Sequence, residues 1–218
     1  VNNKMLFEQQ QHPLCAEGQC HDEILLEALT QALTKTTGGD RLIVLHQLGS
    51  HGPEYFKRST QTQKIFKPEC TDKQLQNCGQ NEVVNAYDNS IAYTDYFLSK
   101  VIGMLKSKAA TLQGGMLYVS DHGESLGENN LYLHGLPYAI APDVQKHIPW
   151  ISWFANDFIG RHNLDTDCMA SRSGKKLSHD YYFHTVLGLM DVQTAVYKPD
   201  LDAYAPCRVK QMDKWMKR

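Results

Sequence analysis

Apolar residues recur along this chain at two kinds of spacing. From Glu23 to Leu33, Ile24, Leu25, Ala28, Leu29, Ala32 and Leu33 fall three or four apart, which marks one face of a helix. Asp22 stands at its N-cap position. A longer helix is expected over Glu82–Lys106, with Val84, Tyr87, Ile91, Leu98, Val101, Ile102 and Leu105 on its apolar face. Its aromatics Tyr87, Tyr93, Tyr96 and Phe97 read as packing. The same period predicts a helix over His179–Met190, capped by Ser178, with Tyr182, Val186, Leu189 and Met190 inward. Unbroken apolar runs form the other class. Arg41-Leu42-Ile43-Val44-Leu45 and Met116-Leu117-Tyr118-Val119 have the length and residue types of short buried strands. Ile148–Phe154 is a third strand, and Pro149 makes it an edge strand or starts it at Trp150. Residues 1–21, 54–80 and 160–177 are polar and irregular. The order helix, strand, helix, strand, strand, helix predicts an α/β fold with a mainly parallel sheet.

Two of the apolar runs end in the same way. Met116–Val119 stops at Ser120 and is followed at once by Asp121-His122-Gly123. Strand C-termini are where open α/β sheets place ligands. A second His-Gly pair, His134-Gly135, returns twelve residues after His122. Arg41–Leu45 likewise runs into His46-Gln47-Leu48-Gly49-Ser50-His51-Gly52-Pro53. An isolated Asp-His pair is usually a surface turn, and a loop histidine usually forms a hydrogen bond. Two strand ends that both deliver histidines, with glycine beside each, point instead to a metal or phosphate site, for which Asp oxygen and His nitrogen suit Zn²⁺. His179 falls in the first turn of its helix, where capping or packing is as good a reading as a ligand role.

Composition narrows this further. The chain has 218 residues, enough for one domain with a sizeable core. Its net charge is −2 and its pI about 6.6, so nothing calls for nucleic acid. Basic residues cluster only in a C-terminal tail from about 209. No run of about 18 apolar residues spans a membrane. The first residue is Val1 and no signal peptide follows it, as expected for a processed or truncated product. The six cysteines lie in polar, loop-like sequence without any Cys-x-x-Cys, which argues for disulfides and an oxidising compartment. Because near neighbours usually close first, the favoured pairs are Cys15–Cys20, Cys70–Cys78 and Cys168–Cys207.

Leu45-His46-Gln47-Leu48-Gly49-Ser50-His51-Gly52-Pro53-Glu54-Tyr55-Phe56-Lys57-Arg58 resembles a segment of the phosphoethanolamine–lipid A transferases, a family that includes the mobile colistin-resistance enzymes. Asn85–Asn89 resembles their helix. Tyr118–Asn129 with Leu133-His134-Gly135 is similar to their metal-binding segment, and Ser178-His179-Asp180 to Leu189 also fits. The resemblance runs from about Asp40 to Cys207. It implies an alkaline-phosphatase-like α/β/α sandwich, a zinc cofactor and a periplasmic location, with an N-terminal domain making the membrane contact. The activity implied is transfer of phosphoethanolamine from a phosphatidylethanolamine donor, through a threonine, to a lipid A or lipopolysaccharide acceptor. That activity confers resistance to polymyxins. Carried over by position, Asp121 and His122 would ligate zinc. His51 and His134 would form a second metal or substrate-phosphate site, with His46 beside them, and His46, His51 and His134 would serve catalysis.

The family's metal-binding glutamate and nucleophilic threonine lie well upstream of the first histidine motif, and Thr36-Thr37-Gly38-Gly39 reads as a turn. Residues 1–218 are therefore expected to be one partial catalytic domain, incomplete on its N-terminal side. Two alternatives stand. One is a sulfatase- or phosphodiesterase-type hydrolase of the same superfamily, against which the His-Gln-Leu-Gly-Ser-His-Gly-Pro run argues. The other is a non-catalytic domain that keeps metal ligands without a nucleophile.

Overall fold

A computed structural model describes residues 11–34 and 38–209. The Gln-rich first ten residues, Thr36-Thr37 and the tail from 210 lie outside the described residues. The chain divides into two compact units. One holds the described residues up to Gly38 with Ile43–Met104 and Tyr118–Ile151, and the other holds Gly39–Leu42, Leu105–Leu117 and the described residues from Ser152.

In the first unit, β1 (Cys15–Ala16) and β2 (Gln19–Cys20) form a two-residue antiparallel hairpin that sets Cys15 opposite Cys20. Glu17 and Gly18 turn it with φ of 51° and 76°, the left-handed pair that tight hairpins require. The Cys15–Cys20 disulfide joins the opposed residues. α1 (Ile24–Thr34) follows as its spacing predicts. Asp22 takes a different part from the cap expected of it. Its buried carboxylate accepts the amides of Leu48 and Gly49, at 2.8 and 2.9 Å.

The predicted strand Arg41–Leu45 is not a strand. None of its residues belongs to a strand or sheet among the described residues, and Leu42 and Val44 are 59% and 74% exposed. The polar stretch 54–80 contains three single-turn 3₁₀ segments, Tyr55–Lys57, Gln61–Gln63 and Leu75–Asn77, and is stapled by Cys70–Cys78. It covers α2 (Gln80–Ser107). Tyr55, Cys70, Leu75, Val83, Ala86 and Leu126 make the core there.

In the second half of α2, Leu98, Val101 and Leu105 are buried as expected, but in its first half the inward residues are Val83, Ala86, Asn89, Ser90 and Tyr93, while Ile91 is 46% exposed. Asn89 is fully buried there with its polar atoms paired: its side-chain oxygen accepts the amides of Ile65 and Phe66, and its nitrogen donates to Phe66 O and Glu69 Oε2. Tyr93 and Phe97 pack in the core as expected.

β3 (Gly115–Val119) and β6 (Trp150–Phe154) form a two-stranded sheet, and β6 starts after Pro149 as anticipated. Between them β4 (Ser125–Leu126) and β5 (Tyr132–Leu133) pair antiparallel. The sheets among the described residues are thus all small and two-stranded; the Arg41–Leu45 run that was expected to widen one joins none of them.

In the second unit, α3 (Asn156–Arg161) precedes α4 (Thr166–Ser171), a helix in a stretch expected to be loop. Asp165 caps α4 by accepting the amides of Asp167 and Cys168. α5 (Asp180–Leu189) buries His184, Thr185, Gly188 and Leu189. Its polar inward residues serve the segment 198–203: Thr185 Oγ1 accepts from Ala203 N and His184 Nδ1 from Lys198 N. Leu164, Leu189 and Tyr204 centre this unit's core, beside the Cys168–Cys207 disulfide. No helix among the described residues is long and apolar enough to cross a membrane.

Candidate metal centre

The turn after β3 is fixed by its own backbone. Ser120 Oγ donates to His122 O at 2.8 Å, and Asp121 Oδ1 accepts from His122 N at 3.0 Å. Gly123 donates its amide to Gln145 O at 3.0 Å. A Cβ on Gly123 would run into the Val144 carbonyl. Gln145 Nε2 reaches back to Ser125 Oγ at 2.8 Å. Glu124 is then the last residue before β4, and His134 the first after β5. Because Ser125 pairs with Leu133, the register brings Glu124 and His134 side by side. The connection closes through left-handed Asn129 and Asn130 and through Gly127, whose φ is 120°.

The ligand atoms of His122, Glu124 and His134 all lie within 4.8 Å of one another. The His122 and His134 rings are 3.6 Å apart, and His51 stands edge-on to His134 at 6.2 Å. Nδ1 of His122 lies 3.0 Å from Gly123 O, and Nδ1 of His51 2.6 Å from Gly52 O. A carbonyl can only accept, so in the neutral rings Nδ1 carries the proton and Nε2 keeps a free lone pair. Histidine ligands to metals are held in this way. His134 Nδ1 faces Glu124 Oε1 at 3.2 Å, while Glu124 Oε2 is buried without a partner. A buried carboxylate needs a positive partner or a metal. Two imidazoles and one carboxylate oxygen at this spacing fit Zn²⁺ by donor type.

The carboxylate's charge acts on two tyrosines. Burial, and then the charge of Glu124, pushes Tyr87 up to about 12 and Tyr55 higher still. The His51 loop is gripped from both sides. Asp22 holds Leu48 and Gly49, and Arg58 Nε donates to His51 O at 2.7 Å. Burial raises the Asp22 pKa above the usual carboxylate value, against the pull of those two amides.

A sulfatase family model matches residues 2–192. The chain belongs to the sulfatase family. This sulfatase-family chain is 45% identical over 195 residues to the phosphoethanolamine transferase EptA of Salmonella typhimurium, a match covering 89% of the chain and 36% of that protein. It therefore spans about a third of the length of the curated relatives it matches. Among solved structures, the soluble domain of lipooligosaccharide phosphoethanolamine transferase A from Neisseria meningitidis superposes with a TM-score of 0.92 at 40% identity, over 96% of this chain and 63% of that one. The integral membrane form of the Neisseria protein superposes with a TM-score of 0.88 at 41% identity, over 93% and 38%. The fold is of the sulfatase and alkaline-phosphatase type.

Of the residues singled out in this family member from sequence, the structure brings His51, His122 and His134 together. Asp121 and His46 are not among the three clustered residues, but Asp121 Oδ2 stands 3.7 Å from His122 Nε2. The Asp121 side chain is 84% exposed, and His46 is also exposed. His179 is exposed at the N-cap of α5. Glu124 is the member that sequence reasoning missed. Its available signal was a carboxylate two residues after His122, directly before the Ser125-Leu126 pair that faces Tyr132-Leu133.

Proposed function

We propose that this chain is part of the catalytic domain of a zinc-dependent transferase. It moves phosphoethanolamine from phosphatidylethanolamine to lipid A or the lipopolysaccharide core, and by masking phosphate charge confers polymyxin resistance. The reading places the protein on the periplasmic face of the inner membrane, tethered by a domain other than the one described. The observation that carries it is the buried Glu124, with an unpartnered oxygen, clustered with the imidazoles of His122 and His134. Relatives named as phosphoethanolamine transferases support it.

Phosphoryl transfer is mainly positioning and charge neutralisation. In this proposal Asp121, His122, Glu124 and His134 hold zinc, which when bound supplies Lewis acidity to a phosphoryl oxygen. His51, edge-on to His134, would with it hold a second metal or the substrate phosphate. His46 contacts the phosphate from the same loop. An imidazole there can give a proton to the leaving oxygen. The nucleophile is assigned to a threonine outside the described residues. The test is mass spectrometry of lipid A from cells expressing the full-length protein. His51→Ala or His134→Ala should each lower modification by about 10²–10⁴-fold, and Asp121→Ala should remove it. Full activity in His134→Ala sinks the placement of the β4–β5 loop at the site. The sulfatase family match keeps one rival in play, a hydrolase. Release of sulfate or phosphate from chromogenic esters, with unmodified lipid A, would favour that rival.

A further inference from the structure

Two buried polar atoms beside the metal centre lack a partner, Glu124 Oε2 and the Tyr55 hydroxyl. Tyr55 is 0% exposed, in the core with Leu75, Val83 and Leu126. Its ring stands edge-on to Tyr87, with centroids 5.3 Å apart. Phenylalanine would fill that volume without burying a polar atom, so the hydroxyl needs a reason. Glu124 lies beside it, and after burial its charge acts most strongly on the phenol. The backbone leaves room for this approach. A Cβ on Gly52 would come 2.8 Å from the Tyr55 oxygen and overlap the Leu133 side chain. Gly52 follows His51 and Leu133 precedes His134, so the hydroxyl sits under both histidine-bearing segments. A phenol donates and a carboxylate accepts, so one proton satisfies both orphans.

We propose that Tyr55 is a positioning residue of the metal centre: its hydroxyl donates to Glu124 Oε2 and so holds Oε1 toward His134. The inference rests on reading His122, Glu124 and His134 as a metal centre. Tyr55→Phe keeps the ring and removes only the donor. Zinc is titrated into the whole 218-residue chain, disulfides intact, against a competing chromophoric chelator. Tyr55→Phe should bind about 10–100-fold more weakly, the usual effect of losing a group that orients a ligand, with its near-ultraviolet circular dichroism unchanged. Equal affinity in wild type and Tyr55→Phe overturns the proposal. If wild type binds no zinc, or Glu124→Gln binds as well as wild type, the metal reading itself has failed. The hydrogen bond is then judged in the metal-free chain by ¹³C NMR of the Glu124 carboxyl. Its resonance should move in Tyr55→Phe, and an unmoved resonance overturns the proposal.

Discussion

Gly123 shows how narrowly one residue can be constrained at this site. Its amide is spent on Gln145 O and the Val144 carbonyl fills the place of a side chain. Gly123→Ala should therefore cost about 1–3 kcal/mol in urea unfolding, the usual range for forcing atoms into packed space, and should weaken zinc binding by displacing His122 and Glu124. Gly160→Ala, with nothing within 4 Å, is the control. In the second unit His162 is buried against Phe158, with Nδ1 3.3 Å from Asp191 Oδ2. Burial lowers its pKa from 6.5, and the nearby Asp191 charge only partly opposes this. The fold thus favours the neutral ring. Below about pH 6.5 the unfolded chain takes up a proton that the folded chain resists, so stability falls as the pH drops and is regained as it rises. Replacing the imidazole, as in His162→Gln, should flatten the urea midpoint against pH between about pH 7 and 5. An identical slope in both proteins would assign the acid sensitivity elsewhere.

At the scale of elements, α2 carries the sharpest test. Asn89→Leu removes the acceptor of two amides, Ile65 and Phe66, and should destabilise by about 1–3 kcal/mol while loosening the 54–80 stretch, measurable as faster amide exchange at Ile65 and Phe66. Asn89 also marks where the sequence stopped being readable. Helical periodicity announced α1, α2 and α5 because apolar spacing reflects burial. It placed Leu98, Val101 and Leu105 inward correctly but missed the inward face of the first half of α2, because a polar residue with its hydrogen bonds made can be buried as fully as a leucine. α4 was hidden among polar residues; its signal is the Asp165 cap rather than an apolar stripe. Arg41–Leu45 has strand composition, but composition does not supply a neighbour to pair with. At the site, His51, His122 and His134 were legible as polar residues beside glycine at the ends of apolar runs. Glu124 was not, because its place depends on the Ser125–Leu133 register, set by two-residue strands and a left-handed turn that no periodicity reveals.

For the whole molecule, the three disulfides differ in what they contribute. They close separations of 5, 8 and 39 residues. On the chain-entropy model these correspond to about 2, 2.5 and 4 kcal/mol. The paired Cys168→Ala, Cys207→Ala variant should lower the unfolding midpoint more than Cys15→Ala, Cys20→Ala does. Alkylation of the denatured, unreduced protein should label no cysteine, and labelling of more than two would refute the pairing. Within this chain the connectivity is also strictly consecutive, each cysteine paired with its next neighbour in sequence. A chain threaded N-terminus first into an oxidising compartment therefore meets each correct partner before any wrong one has arrived. These three bridges need an oxidant at the exit of the translocation channel but no proofreading of mismatched thiols, and their formation should withstand loss of a disulfide isomerase while collapsing with loss of the oxidase.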